Sequence, residues 1–261
     1  MSRARDWLEL GRVSNLPTVW SNVVHGMSVG LFVAVVLPVE KEHGQIPPVT
    51  VDELGRMLDQ GFMLLLGISL LYVGGMVLND ACDAAEDGKQ RPSRPIPSGR
   101  VPRRAAAVAA IVLLGAGWAC TLVYAVPVPF WAGVLGLAIV GYNLLHRWWP
   151  IGFVLMAACR GLVVWTAASA IGFGMGYDDD LLRVAGSAVA VACYTLAVTL
   201  IAWGEALPTM KQLSKWVGVM IALMPILDAV FLWQFGMLPM AAFCIGCAAL
   251  SLAGQRWIAG S

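Results

Sequence analysis

Asn79-Asp80-Ala81-Cys82-Asp83-Ala84-Ala85-Glu86-Asp87 follows directly on the apolar run 57–78 and precedes another at 105–126. On a helix Asp80, Asp83 and Asp87, at i, i+3 and i+7, project from one face, and Asn79, four residues before Asp83, extends that stripe. Carboxylates crowded on one face repel each other unless a hard divalent cation lies between them. Mg²⁺ favours one or two carboxylates completed by phosphate oxygens and water. The next stretch, Lys89-Gln90-Arg91-Pro92-Ser93-Arg94-Pro95-Ile96-Pro97-Ser98-Gly99-Arg100, is a cationic loop stiffened by prolines. Acid, metal and base between two apolar runs predict a diphosphate site at a membrane surface.

Composition sets the surroundings of that site. The 261-residue chain is 59% hydrophobic and 13% charged, with mean hydropathy +0.76, which excludes an ordinary soluble domain. A helix needs about 20 apolar residues to cross the hydrocarbon layer. Eight such runs are present, at 15–38, 57–78, 105–126, 129–146, 150–174, 181–204, 214–234 and 237–256. Strand alternation is nearly absent, so the expected fold is an all-α polytopic bundle of about eight transmembrane helices, one domain over 1–261. With the N-terminus inside, thirteen of the seventeen Lys and Arg fall on the inner side, three outside, and Arg160 within a span. That asymmetry puts the acidic stripe on the cytoplasmic face of a cytoplasmic membrane, by expectation a bacterial inner membrane. Residues 1–13 mix Arg with Asp6 and Glu9 and read as the lead-in to a retained span, not a signal peptide.

Two loops are long enough to hold structure: an external one, Val39–Arg56, expected to form an amphipathic cap, and the internal Asn79–Arg104. Asp178-Asp179-Asp180 reads as a solvated turn and helix start. The six cysteines imply no disulfide framework, and Cys244-Ile245-Gly246-Cys247 reads as core packing.

Asn79-Asp80-x-x-Asp83-x-x-x-Asp87, followed by Arg91-Pro92-x-Arg94-Pro95-Ile96-Pro97-Ser98-Gly99, resembles the UbiA superfamily of intramembrane prenyltransferases. Tyr142-Asn143-Leu144-Leu145-His146-Arg147 is similar to that family's Tyr-x-x-x-Lys-Arg, with His146 in place of lysine. The resemblance covers about residues 12 to 256. It implies Asp80, Asp83 and Asp87 as catalytic Mg²⁺–diphosphate ligands, Asn79 as an accessory, and Lys89, Arg91 and Arg94 as phosphate clamps. Tyr142, His146 and Arg147 are implied at the same substrate. The implied reaction ionises an allylic isoprenoid diphosphate and passes the prenyl cation to a lipophilic, aromatic or otherwise electron-rich acceptor. Aromatic side chains are expected to shield that cation in a water-poor cavity. Membrane lipid is the expected environment, with no nucleic-acid partner.

The departures from the family pattern have consequences. Its second acidic motif is reduced to Trp203-Gly204-Glu205-Ala206-Leu207-Pro208-Thr209-Met210-Lys211, so either Glu205 holds a second Mg²⁺ or Lys211 replaces that metal as a point charge. Together with Cys159-Arg160-Gly161-Leu162, these departures resemble a UbiA-like subgroup that includes EboC. A terpene cyclase and a non-catalytic isoprenoid-binding or transport protein are the alternative functions. Arg160, about ten residues into its span, fits either a diphosphate contact or a structural ion pair. Asp228 is placed near the outer interface, Asn22 and His25 in interhelical hydrogen bonds, and Asn15 at the cavity mouth. Arg100, Arg103 and Arg104 fit lipid anchors as well as ligand contacts.

Overall fold

The computed structural model describes residues 3–36, 40, 42, 51–171, 178–204 and 216–257. Among these residues the chain forms nine α-helices and no strand: α1 (Arg3–Leu10), α2 (Leu16–Leu31), α3 (Val51–Gln90), α4 (Arg103–Cys120), α5 (Pro127–Leu145), α6 (Ile151–Ser169), α7 (Asp178–Trp203), α8 (Val217–Gln234) and α9 (Leu238–Gly254). Six of them, α3 to α8, are long and apolar enough to cross a membrane. The other two expected spans are α9, a shorter apolar helix, and α2, which continues through a π-helical turn at Phe32–Val36. The eight apolar runs are therefore helices, and α7 starts at Asp178 as expected.

Helices α3 to α9 pack against their sequence neighbours around α2, which touches α3, α6, α7, α8 and α9. Thirteen of the sixteen α2 residues are buried, making it the axis of the bundle. Small residues allow this close approach. A Cβ on Gly26 would collide with the Val164 carbonyl of α6, and one on Gly30 would stand 2.5 Å from the Ala168 carbonyl oxygen. Val19, Val23 and Met27 of α2 then join Leu64, Ile68 and Leu71 of α3 in the main apolar core.

One expectation is corrected. The polar segment from Asn79 is not a loop as far as Arg104, because α3 runs on to Gln90. Ala81, Ala84 and Ala85 are strong helix formers, and Glu86 receives Gln90 at 2.7 Å and Lys89 at 3.8 Å within one turn. Since Gly61 to Leu78 spans ~27 Å of helix, the stripe emerges where a hydrocarbon core of about 30 Å ends. At the opposite end of α3 the helix begins at Val51, while residues 43–50 of the expected external cap lie outside the described residues.

Gly26→Ala is expected to lower the thermal unfolding midpoint in detergent, reflecting an overpacking cost of about 1–3 kcal/mol. Gly136→Ala, whose added Cβ meets nothing within 4 Å, is expected to leave the midpoint unchanged or raise it. Equal effects of the two would disprove the α2–α6 approach.

Candidate active site at one end of the bundle

The acidic face of α3 is met by basic groups from three other parts of the chain. Arg94 Nη1 lies 2.7 Å from Asp87 Oδ2 and 3.5 Å from Asp80 Oδ1, while Arg12 Nη2 reaches the same Asp80 oxygen at 3.4 Å. Arg147 Nη2 donates to Asp83 Oδ1 at 3.1 Å, and His146 Nε2 approaches that oxygen at 3.2 Å. The second His146 nitrogen, Nδ1, faces the Asn143 carbonyl at 3.2 Å. Asn79 Nδ2 donates to Asp83 Oδ2 at 3.3 Å, so the predicted stripe resolves into two groups, Asp80 with Asp87 through Arg94 and Asn79 with Asp83.

Arg94 is aimed by a folded cap. Pro92–Ser98 forms successive turns, with Ser98 N–H on Arg94 O and Val101 N–H on Pro95 O, both at 3.0 Å, and Gly99 supplies the left-handed φ of 77°. Ile96 and Val101 plug into an apolar cluster with Leu10, Val77, Ala81 and Ala106. Burying one such side chain contributes about 1.5–3 kcal/mol. Arg100 bridges this cap to α1 through Asp6 at 3.3 Å, and Arg103 Nε donates to Ala81 O at 2.8 Å. Both side chains thus tie chain segments together.

Arg12 joins the stripe to the interior. Its backbone is left-handed, with φ 44°, between α1 and the 3-10 turn Val13–Asn15. For a residue with a Cβ that conformation costs about 1–3 kcal/mol, offset here by the contact with Asp80. Beside Arg12 begins a cavity of about 310 Å³, running between α2, α3, α5, α6, α7 and α8. Asn15, Tyr142 and Asn143 line it together with Ile68, Leu71, Leu135, Val163 and Met224, and Arg160 enters from α6. Tyr72 and Tyr142 are its only aromatic lining among the described residues. Trp148, Trp149, Trp203 and Trp216 are exposed on the bundle surface.

The predicted residues are thus divided. Asn79, Asp80, Asp83, Asp87, Arg94, His146 and Arg147 meet at the stripe, and Tyr142 lies at the cavity mouth. Lys89 does not reach the stripe, since the extended α3 turns it outward onto Glu86, and Arg91 is exposed. Glu205 and Lys211 lie outside the described residues. Among the described residues no three His, Cys, Asp or Glu side chains are grouped so as to hold a metal ion by themselves. The donor set nevertheless fits Mg²⁺. Asp80, Asp83 and Asp87 present hard carboxylate oxygens on one face of α3, the donor type that Mg²⁺ takes alongside phosphate oxygens and water.

The sequence reading underestimated the centre of the bundle. Asp228 is fully buried inside the bundle. It accepts from Ser21 Oγ at 2.7 Å and Asn22 Nδ2 at 2.8 Å, and meets His25 Nδ1 at 2.7 Å. Asn22 Oδ1 in turn accepts from Arg160 Nη1 at 3.1 Å, and Thr18 Oγ1 from Arg160 Nη2 at 3.1 Å. The available signal was the spacing of Thr18, Ser21, Asn22 and His25 along one face of an apolar helix, facing two isolated intramembrane charges.

Helices, stripe and cavity together define an integral membrane bundle with a charged end and a largely apolar cavity. The chain belongs to the UbiA prenyltransferase family, whose sequence profile matches residues 56–260. It is 36% identical over 90 residues to a digeranylgeranylglyceryl phosphate synthase of Sulfolobus acidocaldarius, covering 33% of this chain and 30% of that one. The synthase of the same name from Methanoregula boonei is 42% identical over 86 residues, covering 33% and 29%. The matched stretch is therefore under a third of either relative. A solved digeranylgeranylglyceryl phosphate synthase structure has a TM-score of 0.58 at 16% identity, over 98% of this chain and 95% of that one. A UbiA homologue from Archaeoglobus fulgidus, bound to DMAPP and Mg²⁺, has a TM-score of 0.53 at 12% identity, over 96% and 99%. At such identities these two likenesses establish the fold.

Asp228→Ala is expected to destabilise the bundle by about 3–5 kcal/mol, the range for breaking a buried charged cluster. A thermal unfolding midpoint equal to that of the unaltered protein would show that the cluster carries no stability.

Proposed function

We propose that this chain transfers the prenyl group of an isoprenoid diphosphate, bound with Mg²⁺ at the acidic end of the bundle, to a lipophilic acceptor in the membrane. The observation that carries this reading is Arg12: one guanidinium both pairs with Asp80 and lines the cavity. A molecule with an anionic head and an apolar tail matches that continuity of charge and cavity. Asp80, Asp83 and Asp87 would hold the metal, with Glu205 as a further carboxylate. Bound Mg²⁺ neutralises the diphosphate and makes it a better leaving group. Arg12, Arg94, Arg147 and His146 surround the same place and donate to phosphate oxygens, stabilising the charge that develops there as the allylic bond breaks. The apolar walls keep water from the prenyl cation, so that the acceptor captures it.

Incubation of the purified protein with radiolabelled geranyl diphosphate tests the first step. Affinity is expected to depend on Mg²⁺ and to fall at least tenfold in Asp83→Ala, about 1.4 kcal/mol, while Arg91→Ala has a smaller effect. Undiminished affinity in Asp83→Ala would refute the assignment.

The distribution of Lys and Arg supports a cytoplasmic site. In a cysteine-free background, a cysteine at Gln45 is expected to react with an impermeant thiol reagent applied to intact cells, and one at Ser98 is not. The reverse pattern would invert the orientation.

A further inference from the structure

We infer that the cavity is a blind shaft whose floor, with Leu64 as its stop, limits the donor to a short prenyl chain of the geranyl or farnesyl class. This rests on the prenyl-transfer reading above and names the length class of its first substrate. On α3 the cavity lining runs from Met76 to Ile68, and on α2 it ends at Val19. One turn deeper on the same faces, Leu64 and Val23 are fully buried in the apolar core. The other walls end likewise. Leu135 of α5, Val163 of α6 and Thr195 of α7 line the cavity, whereas Ala132, Ala167 and Val191, one turn deeper, are fully buried. Met224 of α8 is followed one turn on by Asp228, sealed in its cluster with α2.

Helix packing is the cause of this floor. Among the described residues the wall helices close a ring, each touching the next in the order α2, α3, α5, α6, α7, α8 and back to α2. Below the cavity the ring is pinched shut, because Gly26 lets α2 meet the Val164 carbonyl of α6 and Gly30 lets it meet that of Ala168. Ile68 precedes Met76 by eight positions, so the apolar wall of α3 measures ~12 Å. An isoprene unit adds four chain bonds of about 1.5 Å in zigzag, roughly 5 Å when extended. Two units fit this wall and three just fill it. Four units, about 20 Å, overrun it while the diphosphate stays at the stripe. Leu64 is the largest apolar side chain directly beneath the lining, and a close-packed layer does not yield to added methylenes.

Equilibrium binding of dimethylallyl, geranyl, farnesyl and geranylgeranyl diphosphates to the purified protein with Mg²⁺, corrected for uptake by protein-free micelles, tests this. Geranyl diphosphate is expected to bind at least tenfold more tightly than geranylgeranyl diphosphate, about 1.4 kcal/mol. Leu64→Ala, which deepens the shaft, is expected to narrow that gap by roughly fivefold, and the milder Leu64→Val by less. Leu232→Ala removes an equally buried leucine of α8, one turn beyond Asp228, and is expected to leave the gap unchanged. Dimethylallyl diphosphate, whose tail stops well above the floor, is expected to bind every variant alike, which reports that they fold. Geranylgeranyl diphosphate binding as tightly as geranyl diphosphate in the unaltered protein would overturn the inference. So would a gap that Leu64→Ala and Leu232→Ala change equally. Failure of the unaltered protein to bind any of the four would instead strike the prenyl-transfer reading.

Discussion

A charge taken out of water needs a partner, and in a chain with so few charged residues this requirement fixes much of the bundle. Asp228 comes from α8, its donors from α2, and Arg160 from α6, so a single hydrogen-bonded cluster ties together three helices far apart in sequence. Close backbone contact at Gly26 and Gly30 brings α2 and α6 near enough for Arg160 to reach Asn22. Packing and polar pairing therefore depend on each other. The cavity opens beside this cluster, where side chains satisfy one another instead of filling space.

At the bundle end the same requirement is met differently. Four carboxylates in nine residues are tolerated because three segments bring cations to one helix face: Arg12 before α2, Arg94 in the cap and Arg147 after α5. Asp80 and Asp87 are largely buried in their contacts, whereas Arg147 on Asp83 is exposed to solvent and exchanges partners at modest cost. The cap holds its arginine with apolar burial of Ile96 and Val101, an arrangement insensitive to the charge state of the stripe. Rigid positioning and exchangeable charge pairs are thus divided between different side chains of one short loop.

What was legible in the sequence follows from distance along the chain. The stripe could be read because helical periodicity alone puts Asp80, Asp83 and Asp87 on one face, and Arg94 follows Asp87 by seven positions. Eight apolar runs gave the helices for the same reason. Arg12 and Asp228 were out of reach, since their partners lie 68 and more than 200 positions away and are chosen by packing. Lys89 was misplaced because the end of α3 was set too early, and its helical neighbour Glu86 wins it. Composition alone could not say which aromatic rings line the cavity: Tyr72 and Tyr142 do, while Trp148, Trp149, Trp203 and Trp216 are exposed.

The burial of α2 bears on how the chain is assembled. The groups that satisfy the polar face of this helix are made much later than the helix itself. Arg160 follows Asn22 by 138 positions and Asp228 by 206. Until then Thr18, Ser21, Asn22 and His25 have no charged partners from the rest of the bundle. Helix α2 therefore carries four polar side chains through an apolar stretch before the charges that pair with them exist. Its seat at the centre is completed only when α6 and α8 close around it, so the order of synthesis runs opposite to the order in which its polar face is satisfied.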